Sequence, residues 1–176
     1  MTSTHHGRPA ASEFAPFYAG YVAAVPEGEI LEVIRRGAED LATTLATISE
    51  DRGDHRYADG KWSIRELLGH IIDTERIFSY RTLRIARGDP TPLPGFDQDP
   101  YVLTSGAQQR TIASLAAELA AVRASTIALL ESLPEEAWTR VGTASGHPVS
   151  ARALAYITAG HAQHHLQILR SRYLGG

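Results

Sequence analysis

Four stretches of the chain repeat apolar residues at intervals of three and four, and none alternates like a strand. That period confines the chain to an all-α architecture. In the first stretch, over 27–48, Ile30, Leu31, Ile34, Ala38, Leu41, Leu45 and Ile48 form one stripe, with Arg35, Arg36, Glu39 and Asp40 off it. The second, over 63–87, opens on Ser63-Ile-Arg-Glu66, a capping box in which each side chain satisfies a free helix N–H. Gly88 and Pro90 end it. The third covers 108–133, with Ile112, Leu115, Leu119, Val122, Ile127 and Leu130 on its stripe, and the fourth runs from a Ser150 cap over 150–173.

The expected fold is a four-helix bundle without a sheet, a single domain over 17–176 behind a flexible tail at 1–16. Pro134-Glu-Glu-Ala-Trp138 reads as one extra turn, and Gly142-Thr-Ala-Ser-Gly-His147 as the turn into the fourth helix, with His147 exposed. Residues 49–62 form a polar connection. Residues 88–106 carry Pro90, Pro92, Pro94 and Pro100 and predict a long Pro-rich crossover between helices two and three, draped over one end of the bundle.

Composition narrows the chemistry. With 176 residues and no cysteine, the chain has no disulfide framework, no thiolate zinc site and no cysteine nucleophile. A net charge of −3 leaves no footprint for a nucleic-acid backbone. The N-terminus lacks the pattern of a secretory leader, and charges interrupt every apolar run before a membrane span is complete. The expectation is a cytoplasmic protein with a small-molecule substrate and neither nucleic-acid nor membrane partners. His5 and His6, in a polar terminus, read as tail.

The chemistry-bearing residues are in His161-Ala-Gln-His-His165. Residues four apart on a helix stack one turn above the other, so His161 and His165 can reach a single ion. A chain with eight histidines has roughly 0.3–0.4 such pairs by chance, so spacing alone decides nothing. Their setting adds weight: Leu154, Ile157, Thr158, His161, His165 and Ile168 make one core-facing stripe. Two buried imidazoles each need a partner, either separate hydrogen bonds or one shared metal. His70, among Leu67, Ile71, Thr74 and Ile77, is the natural third ligand, and three neutral imidazoles would leave an open position. Such a site should weaken as pH falls through the ordinary histidine range near 6.5. His164 points about 60° away from His161 and reads as a surface residue or one that supports the ligands from behind. No glutamate precedes a histidine by three, which excludes a ferritin-like di-iron site, and Ala162 stands where a zincin needs glutamate. No Gly-x-Ser-x-Gly elbow is present.

Lys61-Trp-Ser-Ile-Arg-Glu-Leu-Leu-Gly-His70-Ile-Ile-Asp-Thr-Glu-Arg76 resembles the second-helix signature of the DinB/YfiT-like family, and Gly160-His-Ala-Gln-His-His-Leu-Gln-Ile-Leu169 its last-helix signature. Between them, Arg87-Gly-Asp-Pro and Pro94-Gly-Phe-Asp-Gln-Asp-Pro-Tyr101 are similar to the connection in one branch. The resemblance implies a four-helix bundle holding one divalent ion per chain on His70, His161 and His165, and a homodimer. Zinc or nickel is expected, with iron or manganese as alternatives, since imidazole suits several metals. It implies a metal-dependent enzyme that transfers groups with a low-molecular-weight thiol. Hydrolysis by metal-bound water is the alternative, and a non-catalytic metal- or ligand-binding bundle a third reading. Because the chain has no cysteine, any thiolate must come from a diffusible cofactor. Asp73, Arg81 and Asp97 are the candidates for supporting roles, with Arg81 placed to receive an anion or to form a salt bridge.

Overall fold

Ser63 starts the helix around which the others are arranged. Its hydroxyl accepts from Glu66 N at 3.2 Å, and the Glu66 carboxylate accepts from Ser63 N at 2.6 Å. The expected capping box is therefore present. A computed structural model describes residues 6–175; His5 lies outside them. In chain order the helices are α1 (Ala19–Ala24), α2 (Ile30–Ala46), α3 (Ile64–Ala86), α4 (Gln98–Thr104), α5 (Ile112–Glu131) and α6 (Ala151–Ile168), with several short 3-10 turns between them. Ser150 caps α6 through Ala153 N at 3.0 Å. Beyond Ile168, residues Leu169–Tyr173 continue as a wider π turn. Gly88, at φ 77°, supplies the left-handed residue that stops α3.

The four long helices close a ring: α2 packs on α5 and α6, and α3 packs on α5 and α6. Helices α2 and α3, successive in the chain, thus lie diagonally across the bundle. α5, the third stretch of the sequence, is apolar enough by length and composition to cross a membrane, with a mean hydropathy of 1.5, yet only 33% of its apolar window is buried. In the bundle its charges are engaged: Glu118 pairs with Arg76 and Arg110, and Arg123 with Glu75.

Three expectations are corrected. A small sheet exists: β1 (Val141–Ala144) pairs antiparallel with β2 (His147–Ser150), and β2 runs straight into α6. His147 is exposed, as expected, but on a strand. The stretch 88–106 is not a bare Pro-rich crossover. It holds α4, and Leu93 N donates to Thr143 O at 2.9 Å while Ser145 N donates to Leu93 O at 3.0 Å, tying it to the hairpin. Finally, residues 6–16, read as tail, lie against the bundle. His6 stacks on Trp138 with ring centroids 3.8 Å apart, Phe14 is buried, and Glu13 accepts from Ser150 Oγ and from Arg152 Nε, each at 2.7 Å. Arg152 holds the Glu13 carboxyl down at about 2.

The apolar core falls into two clusters, one around Trp138, Leu154 and Phe78, the other around Leu67, Ile71 and Leu166. Along α3, α5 and α6 the residues between them are polar: Thr74, Glu75, Arg123 and His161. The bundle is crossed by a polar layer.

Candidate metal centre

His70 projects from α3, and His161 and His165 from successive turns of α6. All three are buried, at 4%, 4% and 8% exposure. Their Nε2 atoms form a triangle with edges of 3.0, 3.1 and 3.1 Å. A neutral imidazole nitrogen either donates or accepts, never both, so three of them cannot close a ring of hydrogen bonds. The triangle is instead one that could hold a single ion. Its circumradius is about 1.8 Å, less than the 2.0–2.1 Å of an ordinary imidazole–zinc contact, so an ion displaced to one side of the plane touches all three. Among the described residues, these three form the one group of histidine and carboxylate donors close enough to share an ion.

Burial prepares the rings for that role. Loss of hydration pushes His70 down to about 4 and His165 to about 3, and holds His161 well below its ordinary value; the neighbouring histidines, which cannot all take up protons together, lower His161 and His165 further, and Arg123 adds to the effect on His161. The rings are therefore neutral, with lone pairs free, at any ordinary pH. The window near 6.5 expected from sequence moves down accordingly. A consequence for the metal-free chain follows. Unfolded histidines take up protons near 6.5 while the folded ones resist until about 4, so the unfolded state binds more protons between these limits. Stability is fully present above 6.5 and falls as pH drops toward 4. Urea midpoints of the metal-free protein should decline through this window, and the decline should be shallower in His70→Ala.

Thr74 supports His70. Its hydroxyl lies 3.4 Å from His70 Nδ1. Four other buried threonines on the helices, Thr44, Thr82, Thr126 and Thr158, donate to the carbonyl four residues back. Thr74 alone of the five meets a ring nitrogen. A proton on Nδ1 donated to this oxygen would leave the Nε2 lone pair facing the triangle, as metal-ligating histidines require. Thr74→Val should weaken metal binding about tenfold or more in a chelator-competition titration, with Thr74→Ser close to the parent. Equal affinities in all three proteins would remove Thr74 from the site.

An open cleft of about 470 Å³ reaches His70 and His161, lined also by Tyr18, Tyr21, Phe78 and Phe96. A second, of about 330 Å³, reaches His165 from the side of Lys61, Trp62 and Tyr173. Of the supporting candidates, Asp97 lines the first cleft, where it also caps α4 by accepting from Asp99 N at 3.2 Å. Asp73 does not line it; burial raises its pKa, and its charged neighbours are Arg76 and Glu118. Among the described residues, Arg81 forms no salt bridge. It is 2% exposed and donates to Pro94 O at 2.7 Å and Ser145 Oγ at 3.1 Å, which pins the loop over the cleft to the hairpin. His164 is exposed, as expected, with its ring 5.4 Å from that of Tyr21.

Sequence reasoning missed Tyr18 and Tyr21. They reach the site because Gly160 lets α1 lie directly on α6: a Cβ there would overlap the Tyr21 carbonyl. A glycine inside a helix next to a candidate ligand was the available signal for such a close approach.

Comparison with known proteins agrees with this architecture. The family model of the DinB superfamily matches residues 34–169. YfiT of Bacillus subtilis, described as a probable metal-dependent hydrolase with an unusual four-helix bundle topology, superposes with a TM-score of 0.70 at 15% identity, over 90% of this chain and 93% of that one. A mycothiol-dependent maleylpyruvate isomerase superposes with a TM-score of 0.67 at 17% identity, over 79% of this chain and 58% of that one. A protein of Oceanobacillus iheyensis, provisionally named a metal-dependent hydrolase, is 30% identical over 76 residues, 43% of this chain and 43% of its own length. The match thus spans less than half of that relative. With its bundle and most of its length matched, the chain belongs to the DinB superfamily.

Proposed function

We propose that this protein is a metal-dependent enzyme in which His70, His161 and His165 hold one divalent ion, zinc or nickel first among the candidates, and that it transfers groups to or from a low-molecular-weight thiol. The observation that carries this reading is the Nε2 triangle beside an open cleft, in a chain without a cysteine of its own. A divalent ion with three neutral ligands keeps its full charge and supplies Lewis acidity, which favours an ionised thiol at neutral pH. The protein's own residues do the rest. Thr74 fixes the His70 ring. Arg81 and Ser145 hold the 94–98 loop at the cleft, and Tyr18, Tyr21 and Phe78 line it. Tyr18 and Tyr21 stay neutral, since burial raises both, and can donate to a polar group on the ligand.

Hydrolysis is the second reading. It is favoured by the descriptions of two of the similar proteins and by Asp97, a carboxylate on the cleft wall able to take a proton. Turnover of electrophilic substrates by the zinc- or nickel-loaded protein, with and without small bacterial thiols, separates the two. Thiol-dependent turnover is the expected result. Thiol-independent turnover would establish hydrolysis, and none with either would leave a binding protein.

We further propose that two copies associate through the α2–α5 face. An apolar groove of about 310 Å³ there is lined by Leu41, Ala42, Leu45, Leu119, Ala120 and Ile127. Sedimentation should show a dimer at micromolar concentration, converted to monomer by Ala120→Glu. A parent protein that is monomeric throughout would end this proposal.

A further inference from the structure

Three elements far apart in sequence build the wall of the cleft over His70 and His161. The segment leading into α1, and α1 itself, bring Phe17, Tyr18 and Tyr21, α3 brings Phe78, and the 94–98 loop brings Phe96 and Asp97. The aromatic rings form a continuous surface: Tyr18 lies 4.4 Å from Phe17 and 5.9 Å from Phe78, while Tyr21 and Phe78 meet the His161 ring edge-on at 5.4 and 5.8 Å. Phe17 is 60% exposed although it sits at this mouth, so its ring is available to a ligand.

Charges of both signs stand at this wall. Asp97 lines it. The guanidinium of Arg81 lies against this wall: it is 5.8 Å from the Phe96 ring centre, donates to Pro94 O and Ser145 Oγ, and acts on the Tyr18 hydroxyl. The second cleft, beside His165, is lined by Lys61 together with Asp99.

We infer that the cleft over His70 and His161 takes a ligand with one metal-seeking group and a planar aromatic body. Aromatic walls attract flat rings, which stack on them or meet them edge-on. The inference rests on the metal reading above and specifies its substrate class.

Three thiols that share a metal-seeking head but differ in body test it: benzyl mercaptan, cysteamine and 3-mercaptopropionate. Each is titrated into the cobalt-loaded protein, and binding is read from the thiolate-to-cobalt absorption band. Benzyl mercaptan should bind about tenfold or more tightly than 3-mercaptopropionate. Phe96→Ala should reduce that preference several-fold without releasing cobalt. Equal or tighter binding of 3-mercaptopropionate would overturn the inference. If Lys61→Ala then abolished that binding, the ligand would enter from the other cleft. A cobalt-loaded protein whose spectrum no thiol alters also overturns it, whereas a protein that holds no cobalt overturns the metal reading itself.

Discussion

His161→Ala is expected to reduce bound metal from about one ion per chain to a small residue, while His164→Ala leaves it nearly unchanged. His161 is central to the triangle: its Nε2 is 3.0 Å from that of His70 and 3.1 Å from that of His165. Without it two donors remain, one on each of two helices, and the ion loses a third of its protein ligands. The neighbouring His164 is exposed, its ring edge-on to those of His165 and Tyr21 at 5.1 and 5.4 Å, and it is not in the group of donors close enough to share an ion. Elemental analysis after gel filtration measures both variants. Because His161 touches Tyr21 and Phe78, circular dichroism of the variant should be recorded alongside, so that lost metal is not confused with lost fold.

The second large effect concerns the polar layer. Arg123 on α5 and Glu75 on α3 form a two-pronged ion pair, with Nε and Nη2 each 2.7 Å from a carboxylate oxygen, at 3% and 2% exposure. Replacing Arg123 with methionine leaves the Glu75 charge buried without its partner, at an expected cost of about 3–5 kcal/mol. Replacing both residues with methionine removes the charges together and should recover most of that loss. Urea unfolding at pH 7 reads both values. A single variant within about 0.5 kcal/mol of the parent would show that water reaches the pair and that the layer contributes little.

How legible each part was depended on how local its cause is. The capping box at Ser63 and the cap at Ser150 are contacts over three residues, and both were readable. The histidine stripe on α6 was readable for the same reason, and its match with His70 needed only that both helices face one core. The hairpin was missed because its strands have four residues each, too few for alternation to register. Its signal was Ser145-Gly146, both at positive φ, the backbone of a tight hairpin turn. The N-terminal segment was missed for a different reason. A six-residue helix has little stability of its own, and α1 exists because Gly160, well over a hundred residues on, admits its backbone. The contacts of Arg81 were not legible: its partners are a carbonyl at Pro94 and a hydroxyl at Ser145, brought there only by the fold.

The most direct test of the metal centre is anomalous diffraction from crystals of the protein loaded with zinc or nickel, recorded on both sides of the metal's absorption edge. The expected result is a single strong peak per chain, about 2.0–2.1 Å from the Nε2 atoms of His70, His161 and His165. A peak elsewhere, or three histidines still in mutual contact with no peak between them, would contradict the assignment.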